Sequence, residues 1–252
     1  MRRIASAVMG SIGCMAFLAA PASAVGSAAA HPACPLPVFG PGSAYHPRIQ
    51  PQNFSANVTN AWFPLKPGTT YIYTGTKDGK SAMDVVQISA GTKVIDGVRT
   101  RMVNDRLFLD NVLEERTTDY YAQDTCGNVW YFGEDTAELD RQGHVVDRSG
   151  SFHAGVHGAQ PGVFMQVHPQ IGRWFRQEWL PGQAQDTYRA LSTKAAITVR
   201  YGSFQHALRT EERTALEPGV IDNKYYVRGL GEVKEVTVRG GNESLELVAV
   251  LR

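Results

Sequence analysis

The 252-residue chain has little cysteine, three residues in all, and almost no net charge, since 25 basic and 24 acidic side chains leave +1. A balance that close to neutral argues against nucleic acid or an anionic membrane surface as the main partner, because neither would meet a strong field. After the N-terminal segment no apolar run reaches the roughly 18 residues that a membrane-spanning helix requires. Helical periodicity is equally scarce, with Ser203–Arg213 the one candidate for a helical turn or two. There is no G-x-S-x-G elbow, no H-E-x-x-H pair and no P-loop, so the sequence carries none of these signatures of hydrolases and nucleotide binders. Gly229-Leu-Gly-Glu-Val-Lys234 starts like a dinucleotide fingerprint, but it lies between two strand-like runs and reads as a hairpin corner.

What is present begins with an address. Met1-Arg2-Arg3, the apolar small-residue run Ile4–Ala20 and Pro21-Ala22-Ser23-Ala24 have the three regions of a secretory signal peptide, residues 1–24, with cleavage expected near Ala24. The mature protein is therefore expected to be secreted, extracellular or periplasmic. Loss of Cys14 with the signal leaves Cys34 and Cys126 in an oxidising compartment, where they form a disulfide or remain two independent thiols. Residues 25–52 are rich in Ala, Pro and Gly and lack periodicity, which describes an N-terminal arm wrapped on a surface.

Residues 53–252 keep one rhythm of short aromatic and β-branched runs separated by turn signals such as Lys77-Asp-Gly-Lys80 and Asp96-Gly97. That rhythm predicts a single all-β domain built as an antiparallel meander. Its strands are too many for one flat sheet, so the sheet is expected to curve strongly or to form an open, half barrel. The rhythm breaks at residues 149–172, a long loop that reads equally as a functional lid or as a connector.

The densest chemistry lies between Asp119 and Asp140, where two aromatic runs flank the turn Thr125-Cys126-Gly127-Asn128. Pairing outward from a two- or four-residue loop sets Gln123 against Trp130, Tyr121 against Phe132 and Asp119 against Glu134. Two carboxylates directly opposed across a ladder need a neighbouring cation, or one of them keeps its proton. Asp119 and Glu134 are thus the candidate acid/base pair. On this register Tyr121, Trp130 and Phe132 share the face of the pair and could wall a pocket. Trp174, Arg176, Glu178 and Trp179, on a run beginning at Arg173, would add apolar wall and polar contacts. His153, His157 and His168 are ligand types for zinc or another divalent metal, although their spacing matches no metal motif, and no cofactor is otherwise expected.

Phe54–Tyr71, Tyr121-Ala-Gln-Asp124, Gly127–Glu138, Arg176-Gln-Glu178 and Lys224–Val233 resemble an uncharacterised group of secreted bacterial β proteins, over nearly the whole mature chain. The closing Tyr-Tyr-x-x-Gly-x-Gly-x-Val is more loosely similar to the last hairpins of the LolA/LolB-like periplasmic half-barrels. That likeness implies an incomplete barrel with an apolar concave face, and leaves function open. The expected function is binding of a small or amphipathic molecule in an aromatic-lined concave pocket. The alternative is a secreted lyase, isomerase or hydrolase that uses the carboxylate pair, with or without a metal.

Overall fold

The computed structural model describes residues 34–252, so the signal-peptide reading lies outside the described residues. Strand β1 is Phe54–Ser55, and a meander follows through β2 (Thr70–Lys77), β3 (Lys80–Ile95), β4 (Val98–Leu109), β5 (Val112–Asp124) and β6 (Val129–Leu139). Its tight corners at Asp78-Gly79, Asp96-Gly97 and Asp110-Asn111 all have positive φ, from 48° to 75°. Such turns match the right-handed twist of paired strands, and Asp, Asn and Gly reach that conformation most readily.

Residues 149–172 are not structureless. They carry β8 (Phe152–His153) and β9 (Gln160–Met165), both paired to β6; β7 (Val145–Asp147) precedes them. β10 (Trp174–Arg176) and β11 (Glu178–Trp179) follow, and then β12 (Asp186–Val199), β13 (Gly202–Thr214), β14 (Ile221–Val227), β15 (Gly231–Arg239) and β16 (Ser244–Leu251). The helical candidate at Ser203–Arg213 is instead β13. Hydrogen-bonding to β12 on one side and β14 on the other outweighs the local spacing of its apolar residues.

Thirteen strands run in the order β10-β12-β13-β14-β15-β16-β2-β3-β4-β5-β6-β9-β11, an antiparallel sheet curled into a nearly closed barrel with one seam. The curve goes well beyond a half barrel. Irregular register in the β3/β4, β5/β6, β12/β13 and β14/β15 pairs supplies the bends that long strands need in order to close. Because β10 and β11 are separated by Gln177 alone yet pair at opposite ends of the sheet, six residues of chain bridge the seam. A side chain at Gly162 would place its Cβ 2.3 Å from the Arg176 carbonyl oxygen, so glycine there lets the bridge lie flat.

Beneath the arm the sheet is buried on both faces. Inside lie Tyr71, Ile88, Val103, Leu208, Val233 and Leu247, among others. Outside, Tyr120, Trp130, Phe132, Phe175 and Tyr188 form a second apolar cluster, covered by Leu36 and Ile49 of the arm and by Phe54 of β1. A disulfide between Cys34 and Cys126 ties the arm to the β5–β6 turn. Segment 56–65 closes the end of the barrel that holds this turn. The backbone N–H groups of Thr59 and Asn60 both donate to Gln123 Oε1 at 2.7 Å, and Asn60 Nδ2 donates to the Gly127 carbonyl at 2.7 Å.

Candidate functional site

Alternation along each strand sends every second side chain inward. The chain uses that rule to place carboxylates where a core would ordinarily be apolar. A cavity of about 250 Å³ opens inside the barrel, and eight of its lining side chains are Asp or Glu against a single cation, Lys224. Asp84 of β3, Asp105 of β4 and Asp119 of β5 come from one wall. Glu212 of β13 and Glu232 and Glu235 of β15 come from the other, with Lys224 of β14 between them. Glu178 and Asp186 complete the set beside the seam. Glu232 and Glu235 are three residues apart and still share the inner face, because an irregularity leaves Val233 unopposed as Tyr226 pairs with Glu232 and Tyr225 with Lys234.

Phe63, Tyr121, Tyr131 and Phe164 form the aromatic floor. Tyr121 stacks on Tyr131 with centroids 4.8 Å apart and an interplanar angle of 21°, and Phe63 lies 4.6 Å from Phe164 and 5.2 Å from Tyr121. A cleft of about 700 Å³ adjoins the seam and is walled by Glu134, Arg148, Asp186 and Glu217. It shares Glu178 and Asp186 with the inner cavity, so these two carboxylates stand between the interior and the cleft.

The electrostatics follow from crowding like charges in a poorly hydrated space. Burial lifts Asp119 to about 7, Asp105 adds to the rise, and a hydrogen bond from Tyr131 partly offsets it. Burial lifts Glu232 to about 8 against the pull of Lys224. Asp84 stands well above the usual carboxylate range through burial and the neighbouring Asp105, to which its carboxyl donates a hydrogen bond. Its Oδ1 is buried without a hydrogen-bond partner. Burial opposes the charge of Lys224, but Glu212 and Glu235, 3.3 and 3.4 Å from its Nζ, help hold the pKa well above the ordinary lysine value.

Asp119 and Glu134 do face each other across β5 and β6. The route to that pairing differs from the expected one. The turn loop has three residues, closed by a hydrogen bond from the Asp124 N–H to the Asn128 carbonyl, so Gln123 pairs with Val129 and Tyr121 with Tyr131. Phe132 then sits unopposed in a bulge, which restores the register at Tyr120–Gly133 and Asp119–Glu134. Tyr131 Oη lies 2.6 Å from Asp119 Oδ1 and 3.1 Å from Glu134 Oε2. One phenolic hydrogen cannot serve both, so when Tyr131 donates to Asp119 the second contact requires a proton on Glu134. Burial and the nearby Asp119 push Glu134 well above the usual range, in agreement with that assignment.

The same shift of register moves two expected wall residues. Trp130 and Phe132 lie outside the barrel beneath the arm, where both meet Phe54 edge-on and Trp130 Nε1 donates to Asp124 Oδ2 at 3.0 Å. Tyr131 takes the inward position beside Tyr121. Glu178 lines the cavity, but Arg176 and Trp174 do not. The seam separates Arg176 from Glu178. The Arg176 guanidinium packs among Phe39, Tyr45 and Trp179 and donates to the Gly40 carbonyl at 2.7 Å. Trp174 is half-buried under the guanidinium groups of Arg189 and Arg213.

The histidines are not drawn together. His153 Nε2 lies 3.0 Å from Asp135 Oδ1, whose other oxygen accepts from Tyr120 and Lys93, while His157 and His168 are exposed. Among the described residues the one group of three His, Cys, Asp or Glu ligand atoms within 4.8 Å is Cys34, Asp124 and Cys126, and its two sulfurs are joined to each other. That chemistry does not suit a metal.

No protein-family model matches the chain, and no curated protein matches it. Among solved structures, a Parabacteroides distasonis protein described as a lipoprotein is similar at 9% identity and a TM-score of 0.41, covering 76% of this chain and 99% of its own. A likeness at that level carries nothing about function, and it does not extend the resemblance to LolA/LolB-like half-barrels. Among the described residues no helix is long and apolar enough to cross a membrane.

Proposed function

We propose that this is an exported barrel protein that binds a small molecule inside the barrel, with Tyr121, Asp119 and Glu178 among the contacts. The observation that carries the reading is the cavity, which keeps about 250 Å³ of space beside ionisable side chains at a place where a barrel of this kind could have been filled. A stability-driven interior would hold branched apolar residues there, since each buried carboxylate costs free energy that only a partner offsets. Export is supported by the Cys34–Cys126 disulfide, a bond typical of oxidising compartments. Native mass spectrometry of protein purified from its own host tests the proposal. A bound organic mass is expected, lost on denaturation and absent from Val86→Phe and Leu245→Phe, which fill the cavity from two walls. Ligand retained by both folded variants would place it elsewhere and overturn the reading.

The second reading is an enzyme that uses Asp119 and Glu134. It is favoured by one observation, the shared Tyr131 hydroxyl, which links two carboxylates of differing surroundings as acid and base chemistry requires. Turnover that Glu134→Gln abolishes while binding persists would place this reading first.

A further inference from the structure

We propose that the molecule taken up by the barrel is a small organic cation, a primary amine or diamine, with its ammonium groups on the inner carboxylates and its carbon skeleton on the aromatic floor. The proposal rests on the reading of the cavity as a binding site and names the class of ligand. Lys224 provides the precedent within the same wall, since its ammonium already sits between Glu212 and Glu235 at 3.3 and 3.4 Å. No second lysine, arginine or histidine lines the cavity to match Asp84, Asp105, Asp119 and Glu232. Asp84 adds an independent sign, because its Oδ1 is buried, faces the cavity and has no hydrogen-bond partner. An unmade hydrogen bond in such a place is costly, and an ammonium donor would make it.

The form of the acidic lining distinguishes an organic cation from a metal ion. No three of these carboxylates bring oxygen atoms within 4.8 Å of one another. A metal ion needs its ligands gathered around one point, whereas the oxygens here are distributed over walls from β3 to β15. Phe63, Tyr121 and Phe164 present ring faces and edges that suit a methylene chain or a cation over a ring.

Binding is coupled to protons. The groups facing the cavity are Asp84, Asp105 and Asp119 on one wall, each raised by burial. Opposite them stand Glu212 and Glu232, also raised, with Glu235 and the charged Lys224. Glu178 and Asp186, raised likewise, stand at the cleft, and the tyrosines stay neutral because burial lifts them as well. An entering ammonium favours the ionised carboxylates, so protons leave to solvent as the amine enters. Affinity then rises with pH, up to about tenfold per pH unit for each proton released, through the range near 8 in which Glu232 ionises unaided.

Isothermal titration of the mature protein tests this, using 1,2-diaminoethane, 1,4-diaminobutane, 1-aminobutane and 2-phenylethylamine beside the size-matched 1,4-butanediol and butanedioate, and calcium and manganese chlorides. At least one amine is expected to bind, at least tenfold more tightly at pH 8 than at pH 6, with heats in buffers of different ionisation enthalpy reporting proton release. Asp84→Asn and Glu232→Gln are expected to weaken it at least tenfold while circular dichroism stays unchanged. Diol or dicarboxylate binding that Val86→Phe abolishes, with no amine binding, would overturn the cationic assignment and leave the binding site standing. Stoichiometric metal binding, or affinity independent of pH, would also overturn it. If no compound binds and the host-purified protein carries no mass, both readings fail.

Discussion

The two sides of the barrel wall differ more than two faces of one sheet usually do. Inside, carboxylates and tyrosines surround an open cavity; outside, beneath the N-terminal arm, Trp130, Phe132, Phe175 and Tyr188 pack into an apolar cluster. A barrel built for stability alone would fill its interior and let its outer face meet water. This chain keeps an acidic, open cavity within its inner core and gains part of its apolar burial on the outside, by covering that face with an arm held by Cys34–Cys126. The contrast separates a side that holds the fold together from a side that can do chemistry, so substitutions on the two should produce different losses.

The largest effect is expected on the outer, apolar side. Trp130→Ala removes a side chain that is 5% exposed and leaves Asp124 without its indole donor. Truncating a buried tryptophan costs about 3–5 kcal/mol, which a urea unfolding curve should show as a lower midpoint. Occupancy of the inner cavity should change less than twofold in protein that remains folded. A comparable loss of binding with little loss of stability would mean that the two sides had been assigned the wrong way round.

Inside, the expected signature is pH dependence rather than packing loss. Asp119 has a pKa of about 7 in the folded chain against an ordinary value of 3.8. The folded state therefore holds a proton that the unfolded state has released, and stability falls as pH rises from about 4 to about 7. The full span corresponds to an upper bound on the order of 4 kcal/mol, reduced by whatever water relaxes around the ionised group. Asp119→Asn cannot ionise and still accepts from Tyr131. Its denaturation midpoint should therefore depend less steeply on pH over that window, and it should exceed wild type most at pH 8. An unchanged slope would mean that Asp119 is already ionised and solvated in the folded protein.

How much of this was legible depends on where each signal lies in the chain. Asp78-Gly79 and Asp96-Gly97 mark their turns locally, so the meander and its all-β class could be read directly. The opposition of Asp119 and Glu134 was readable only because a three-residue turn and the Phe132 bulge displace the register by compensating amounts. Between those two points the inferred face of β6 was wrong, which is why Trp130 and Phe132 fell on the wrong side while Tyr121 on β5 lies inside as expected. The run Val129-Trp-Tyr-Phe132 is apolar at every position because the arm buries its second face, so alternation could not reveal which side was inner. The inner carboxylates were hidden for a different reason. Asp84, Asp105, Glu212 and Glu232 belong to four separate strands, and barrel closure alone brings them together. The available clue was a lone carboxylate at an inward position flanked by apolar residues two apart, as in Val103-x-Asp105-x-Leu107.

The smallest expected effect tests how the arm is held. Arg176 is 9% exposed, donates to the Gly40 carbonyl, and has its guanidinium 4.5 Å from the Trp179 ring centroid and 5.2 Å from that of Phe39. Lysine keeps the charge but loses the planar group that stacks on rings while donating in its own plane. Arg176→Lys should cost about 1–2 kcal/mol, in line with partly desolvated cation–π contacts. The loss should be local, because the disulfide still anchors the arm at Cys34. Hydrogen exchange should accelerate at residues 39–49 and remain unchanged in β3 and β4, with cavity binding retained. Faster exchange throughout β10–β12 would instead show that Arg176 holds the seam, and the covering arm and the barrel closure would then be one structural device rather than two.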